Sequence, residues 1–165
     1  MRSIELTFGV RADAAVRSDW AALSAAGLAS LDKHTGATHR PHLTLTAGPA
    51  LSDGVHLRAA FAALPLSLRF GGFIVFGSAR HGFVLARQIV VSRALLEMHA
   101  LVHASAPGAL EQTRPDRWVP HVTIARRLDP VELSVALELL EDRPPIEAVA
   151  ARLWDSASRT VTALQ

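Results

Sequence analysis

Residues 4–10 (IELTFGV) open the chain with an alternation in which Ile4, Leu6 and Phe8 are separated by Glu5 and Thr7, the period of a half-buried strand. Asp13 opens an Ala-rich helix with Val16, Trp20 and Leu23 on one face, fading near Gly27. A polar loop, residues 32–39, leads to a second period-2 segment, residues 41–47 (PHLTLTA), ended by Gly48-Pro49. Ser52 or Asp53 caps a helix reaching Leu64 and stopped by Pro65. Three short strands follow at residues 66–70, 73–76 and 83–91, with Gly71-Gly72 and His81-Gly82 as turns.

Ser92 caps a helix running to residue 104, and residues 106–117 form a loop rich in Pro, Gly and charge. Residues 119–126 (VPHVTIAR) repeat the pattern of residues 41–47. The next helix has the clearest start signal in the chain. Asp129 is its cap, Pro130 takes the first helical position, Glu132 completes a capping box, and Leu128 staples onto Leu133. Residues 146–154 and 159–164 read as two closing strands around the turn at residues 155–158. Mixed strands and helices in this order predict an α+β chain, and a Pro-His strand in each half hints at an internal duplication. No domain-scale linker interrupts it, so residues 1–165 are expected to form a single domain of two lobes.

Composition narrows this further. Half of the 165 residues are hydrophobic and 19% are charged, which excludes a disordered or low-complexity chain. The apolar runs are cut by Arg, His, Gly or Pro well short of the roughly 18 residues of a membrane span. The N-terminus shows no signal-peptide pattern, so a cytoplasmic protein is expected. There is no cysteine, which removes disulfides, thiolate metal sites and Cys nucleophiles. The pI of 10.3 overstates basicity. Net charge is only +2, and with Lys33 as the single lysine and no tyrosine, almost nothing titrates between histidine and arginine. The eight histidines are the unusual feature, since at neutral pH they are the natural proton-transfer side chains.

Two of them sit in matched surroundings: Pro41-His42-Leu43-Thr44-Leu45 and Pro120-His121-Val122-Thr123-Ile124. At this composition a Pro-His-x-Thr string is expected by chance about 0.02 times. In a strand, residues i and i+2 share a face, so His42 and Thr44 point one way while Leu43 and Leu45 enter the core, and His121 and Thr123 do the same against Val122 and Ile124. Each strand thus offers an imidazole beside a hydroxyl on a platform whose back is buried. Two such faces converging on one cleft suit in-line displacement at phosphorus, one His taking a proton from the attacking oxygen and the other giving one to the leaving oxygen. The Thr hydroxyls can donate to non-bridging phosphate oxygens, and Arg126 adds a fixed positive fork.

Paired His-x-Thr motifs, each preceded by Pro, in a small α+β chain resemble the 2H phosphoesterase superfamily, most closely its 2′-5′ RNA ligase (LigT-like) and 2′,3′-cyclic phosphodiesterase branch. The resemblance covers nearly the whole chain: IELTF, the Ala-rich helix, HRPHLTLTAG, and WVPHVTIAR followed by a helix. It implies a bilobal fold of two antiparallel-sheet lobes with helices outside and a central cleft carrying one His-x-Thr strand from each. It also implies metal-independent catalysis without a cofactor, with His42 and His121 as the catalytic pair and Thr44, Thr123 and Arg126 as substrate-binding residues. Ala47 stands where Arg126 stands after the other motif, so the two sides differ. Arg126 disfavours protonated His121, which leans toward His121 as base and His42 as acid, but the roles also depend on which ester bond reacts and in which direction, so the assignment stays open.

Other residues carry weaker expectations. His34 and His39 are solvated loop residues near the cleft. His99 and His103 have the i, i+4 spacing of zinc ligands but lack a following glutamate and a third ligand. Trp20 and Trp154 are expected in the core, as are Phe8, Phe83 and Trp118, which could otherwise stack on a base. Arg127 reads as surface. The expected function is a phosphoesterase acting on a 2′,3′-cyclic phosphate or 2′-5′ linkage in RNA ends or small cyclic nucleotides. It is expected to work as a monomer, without membrane or obligate protein partner, with hydrolysis favoured over ligation. The alternatives are a binding module that holds such ends without turnover and, behind it, a metal-dependent hydrolase using the helical His pair.

Overall fold

The computed structural model describes residues 1–33, 36, 38–52 and 56–164. Along the chain these form β1 (Arg2–Phe8), α1 (Val10–Ala25), β2 (His42–Gly48), α2 (His56–Ala60), β3 (Leu66–Leu68), β4 (Phe70–Ser78), β5 (Gly82–Ile89), α3 (Arg93–Ala104), β6 (His121–Leu128), α4 (Pro130–Leu139), β7 (Ile146–Asp155) and β8 (Thr160–Ala163), with a 3₁₀ turn at Glu111–Thr113. Among the described residues no helix is long and apolar enough to cross a membrane.

Two antiparallel sheets divide the strands. One has the order β2-β1-β7-β3, with β8 also pairing with β7, and the other is β4-β5-β6. The same arrangement occurs twice: a strand, a helix, and the motif strand that returns antiparallel beside it, as β1-α1-β2 and again as β5-α3-β6. A third strand flanks each pair, β7 beside β1 and β4 beside β5. The duplication visible in the Pro-His strands therefore extends to the helix that precedes each of them. The two closing strands do not stay with the second motif; β7 and β8 return to the first sheet.

Local physics sets the element ends. The alternation at the N-terminus ends at Phe8 because Gly9, extended at φ −63° and ψ 162°, serves as the helix cap, so Val10 begins α1 instead of extending β1. Asp13 then lies in the first turn, where the helix dipole favours an anion. The Asp129–Glu132 capping box forms as its sequence predicts, and Ser92 caps α3 by accepting from the Leu95 amide. Gly71-Gly72 is not a turn. Both residues lie within β4, where Phe70 pairs with Ile89 and Phe73 with Arg87, so they absorb the one extra residue of a bulge. The helix expected to reach Leu64 is only five residues long, and its alternative cap Asp53 lies outside the described residues.

The core runs between the sheets and the helices. Ile4, Leu6 and Phe8 from β1, Leu43 and Leu45 from β2, Val122 and Ile124 from β6, and Val16, Trp20 and Leu23 from α1 are all buried. Two buried ion pairs cross it. Asp19 on α1, with no exposed surface, accepts from Arg87 of β5 at 2.7 and 3.2 Å and from Arg143 at 3.0 and 2.7 Å. Glu5 of β1 accepts from Arg152 of β7 at 2.8 Å, so the polar phase of β1 is as deeply covered as its apolar phase.

Candidate active site

His42 is the first residue of β2 and His121 the first of β6, each directly after a buried proline. Proline has no N–H to donate, so strand pairing gives way at that point and the following His stands at the sheet end. The two motifs share one burial pattern: half-buried His and Thr alternate with buried Leu43 and Leu45, or with buried Val122 and Ile124. This is the alternation the spacing predicts. β2 and β6 pack against each other where the two sheets meet.

The rings are held alike. His42 Nδ1 lies 2.8 Å from the Arg40 carbonyl, and His121 Nδ1 lies 2.7 Å from the Val119 carbonyl, in both cases two residues back along the chain. A carbonyl oxygen only accepts, so each Nδ1 carries a hydrogen and each Nε2 is left for chemistry, as a lone pair when the ring is neutral and as a donor when it is protonated. Beyond that the rings differ. His42 Nε2 is 3.7 Å from Glu5 Oε1, which also accepts from Ser3 Oγ at 2.6 Å. His121 packs instead against Phe76, ring centroids 4.8 Å apart. Burial holds the His121 imidazole below the usual histidine range; its bond to the Val119 carbonyl works the other way, and positive charge on His42 and Arg126 adds to the lowering.

Two indoles cross between the halves. Trp20 Nε1, from α1 beside the first sheet, donates to the Thr123 carbonyl of β6 at 3.2 Å, and Trp118 Nε1, from the loop before β6, donates to the Thr44 carbonyl of β2 at 2.9 Å. Each is backed by an imidazole: His39 stacks on Trp20 at 4.9 Å, and His99 stacks on Trp118 at 3.9 Å with planes 5° apart. The chain leading into β2 is further fixed on α1, where Asp13 accepts from Arg40 at 3.1 Å and Arg17 donates to the His39 carbonyl at 2.9 Å.

The cleft has two chambers. One, of about 710 Å³, is lined by His42, Thr123 and Arg126 together with Lys33, Arg127 and Arg159. The other, of about 380 Å³, is lined by Thr44, His121, Thr123 and Arg126 with Phe76 and Trp118. Thr123 and Arg126 line both, so each of the five residues singled out from the motifs lines at least one of these neighbouring cavities. His39 also lines the larger chamber, while His34 lies outside the described residues. His99 is buried, with Nε2 3.0 Å from the Thr113 carbonyl, and desolvation depresses its imidazole despite backbone bonds that oppose this. Among the described residues no group of three or more His, Asp or Glu side chains could hold a metal ion.

Several residues of the cleft escape sequence reasoning. Trp154, expected in the core, is half-buried and lines the larger chamber, and Arg127, exposed as its surface reading expects, lines it as well. Trp118 is neither free to stack nor simply core, because its edge holds Thr44 in place. Glu5 left the one readable signal, a carboxylate on the same phase of β1 as Thr7.

Two antiparallel sheets, each contributing one His-x-Thr strand to a common cleft, are the architecture of the 2H phosphoesterases. The chain belongs to the 2′-5′ RNA ligase superfamily, whose family model matches residues 12–155. Its fold is similar to that of Usb1 from Kluyveromyces marxianus (TM-score 0.55, 12% identity, covering 99% of this chain and 96% of that one), a protein also solved with uridine monophosphate. It is likewise similar to LigT from E. coli complexed with NADP+ (TM-score 0.52, 16% identity, covering 99% and 94%). No curated protein matches the chain in sequence.

Proposed function

We propose that the protein is a metal-independent phosphoesterase that hydrolyses a 2′,3′-cyclic phosphate, or a 2′-5′ phosphodiester, at RNA ends or in nucleotides, and that runs reversible 2′-5′ ligation when an RNA 5′-hydroxyl takes the place of water. The observation that carries this reading is the matched tether of the two rings: both Nδ1 atoms are committed to carbonyls, which leaves both Nε2 atoms available for proton transfer. Superfamily membership supports the phosphoesterase class, and the nucleotides held by the Usb1 and LigT structures support a nucleotide ligand.

In this mechanism His121, whose surroundings favour the neutral ring, removes a proton from water as the water oxygen bonds to phosphorus. The bond from phosphorus to one ribose oxygen breaks, and protonated His42 delivers its Nε2 proton to that oxygen, leaving a 2′- or 3′-phosphomonoester. The Glu5 carboxylate faces His42 and complements a positive ring there. Thr44 and Thr123 donate to the non-bridging oxygens, and Arg126 neutralises the charge that builds on them. The apolar wall of Phe76, Val84 and Val119 beside His121 receives a base. The chain acts as a single two-lobed domain and needs neither metal nor cofactor.

The test is turnover of 2′,3′-cyclic nucleotides and of a short RNA ending in a cyclic phosphate, with EDTA present, for wild type, His42→Ala and His121→Ala. Loss of a general acid or base costs about 10²–10⁴-fold, so both variants should drop by at least two orders of magnitude while EDTA changes nothing. Wild-type turnover abolished by EDTA would sink the metal-free mechanism. Ligand binding without product on long incubation would assign the site to a module that holds RNA ends.

A further inference from the structure

The larger chamber is far more cationic than the reaction at one phosphate requires. Lys33, Arg126, Arg127 and Arg159 all line it, and among the described residues no Asp or Glu does. Among the described residues the side chain of none of these four forms an ion pair or a hydrogen bond, although most arginines elsewhere in the chain are matched with carboxylates. Unpaired cations around a concave, carboxylate-free wall are an arrangement for an anion.

The backbone supports the same reading. The only non-glycine residues with positive φ among those described are Arg127 (φ 64°) and Arg159 (φ 56°), and both border this chamber. Left-handed backbone is unfavourable for arginine and free of strain for glycine, so its use at two cationic positions of one cavity points to function. At Arg127 the purpose is visible. Consecutive strand residues point to opposite faces, yet Arg126 and Arg127 line the same chamber, because Arg127 is the extra residue of a bulge between Arg126, paired with Val84, and Leu128, paired with Phe83. At Arg159 the turn that carries it is pinned: Arg2 donates to Asp155 at 2.8 Å, Ser156 bonds the Met1 carbonyl through both its amide (2.9 Å) and its hydroxyl (2.8 Å), and Asp155 accepts from the Ala157 amide at 2.9 Å. Half-buried Trp154 lies on the same wall and offers a flat apolar face.

We propose that Lys33, Arg127 and Arg159 form a second phosphate subsite that takes the internucleotide phosphodiester adjoining the reacting phosphate, with the neighbouring base against Trp154. The natural substrate is then an oligonucleotide end of at least two nucleotides, not a mononucleotide. This deepens the phosphoesterase reading and rests on it for the identity of the reacting phosphate. Arg126 serves the reacting phosphate, and the other three cations serve its neighbour.

The test separates the two claims by measuring binding apart from turnover. Calorimetric titration compares uridine 3′-monophosphate, uridine 3′,5′-bisphosphate and the dinucleotide UpUp, on wild type and on Arg127→Gly/Arg159→Gly. Glycine keeps the left-handed backbone at both positions and removes only the guanidinium groups. The dinucleotide should bind wild type about tenfold or more tightly than the mononucleotide, as a charge-assisted contact implies, and the variant should lose most of that advantage. The salt dependence of dinucleotide binding should flatten by about 0.7 per cation removed. Equal affinity of wild type for mononucleotide and dinucleotide overturns the subsite. A gain for the bisphosphate without one for UpUp overturns its assignment to an RNA chain. Turnover of U>p and UpU>p is followed in parallel: binding advantage without turnover retains the subsite and refutes the hydrolase, whereas turnover at the same kcat/KM for both, with equal affinities, does the reverse.

Discussion

Asp19 is the residue whose loss the structure predicts most sharply. Its carboxylate has no exposed surface and meets two guanidinium groups, that of Arg87, 2% exposed, and that of Arg143, 21% exposed. Arg87 also donates to the Glu141 carbonyl at 2.6 Å and lies over the Phe73 ring at 4.6 Å, so it cannot swing out to water. Asp19→Asn keeps the shape and removes the charge, which leaves a buried guanidinium with no counterion. Breaking a buried pair from one side costs about 3–5 kcal/mol. Unfolding a chain of this length carries roughly 0.35 kcal/mol/K of entropy, so Tm should fall by about 9–14 °C. The paired replacement Asp19→Leu with Arg87→Met removes both charges and should recover most of the loss, because the cost of desolvating them disappears as well. Thermal unfolding followed by circular dichroism at pH 7 measures all three proteins. A fall of less than about 3 °C in Asp19→Asn, or a double variant no more stable than the single one, would refute the reasoning.

Three other outcomes follow. With His121 held below the usual histidine range and acting as base, the acid limb of kcat/KM should lie below 6.5, and an acid limb above that value would reverse the roles of the two rings. His99 and His121 are both depressed, so the unfolded chain takes up protons first on acidification; stability should be fully present above about 6.5 and decline as pH falls from there toward the folded-state values, which denaturant titrations from pH 7.5 to 5 would show. Gly82→Ala should cost about 2–3 kcal/mol, since φ is +81° and the new Cβ would lie 2.7 Å from Arg127 Cα, while Gly72→Ala, with open space around it, should change stability by under about 0.5 kcal/mol.

What the chain revealed in advance was whatever local periodicity encodes. The two Pro-His strands, their buried and cleft-facing phases, the Ser92 cap and the Asp129–Glu132 box depend on neighbours within a few residues, and all are present in the structure. The failures share a different cause. Gly71-Gly72 reads as a turn until β5 is placed beside it, because a bulge is defined by two strands and not by one. Arg127 and Arg159 reach the cleft through single backbone angles that no polar–apolar pattern records. Trp154 and Arg152 lie more than 140 residues from the Ser3 and Glu5 they pair with, and Asp19 meets Arg87 and Arg143 across 68 and 124 residues. Such contacts require the topology first.

The crossed indoles have a mechanical consequence. Each motif strand is gripped by a side chain rooted in the opposite half of the chain, so the two strands cannot part without breaking two indole bonds. Enzymes that close jaws on their substrates have a hinge, and here the place a hinge would occupy is latched from both sides. The spacing of the two motif strands is therefore braced from both sides and set before any ligand arrives.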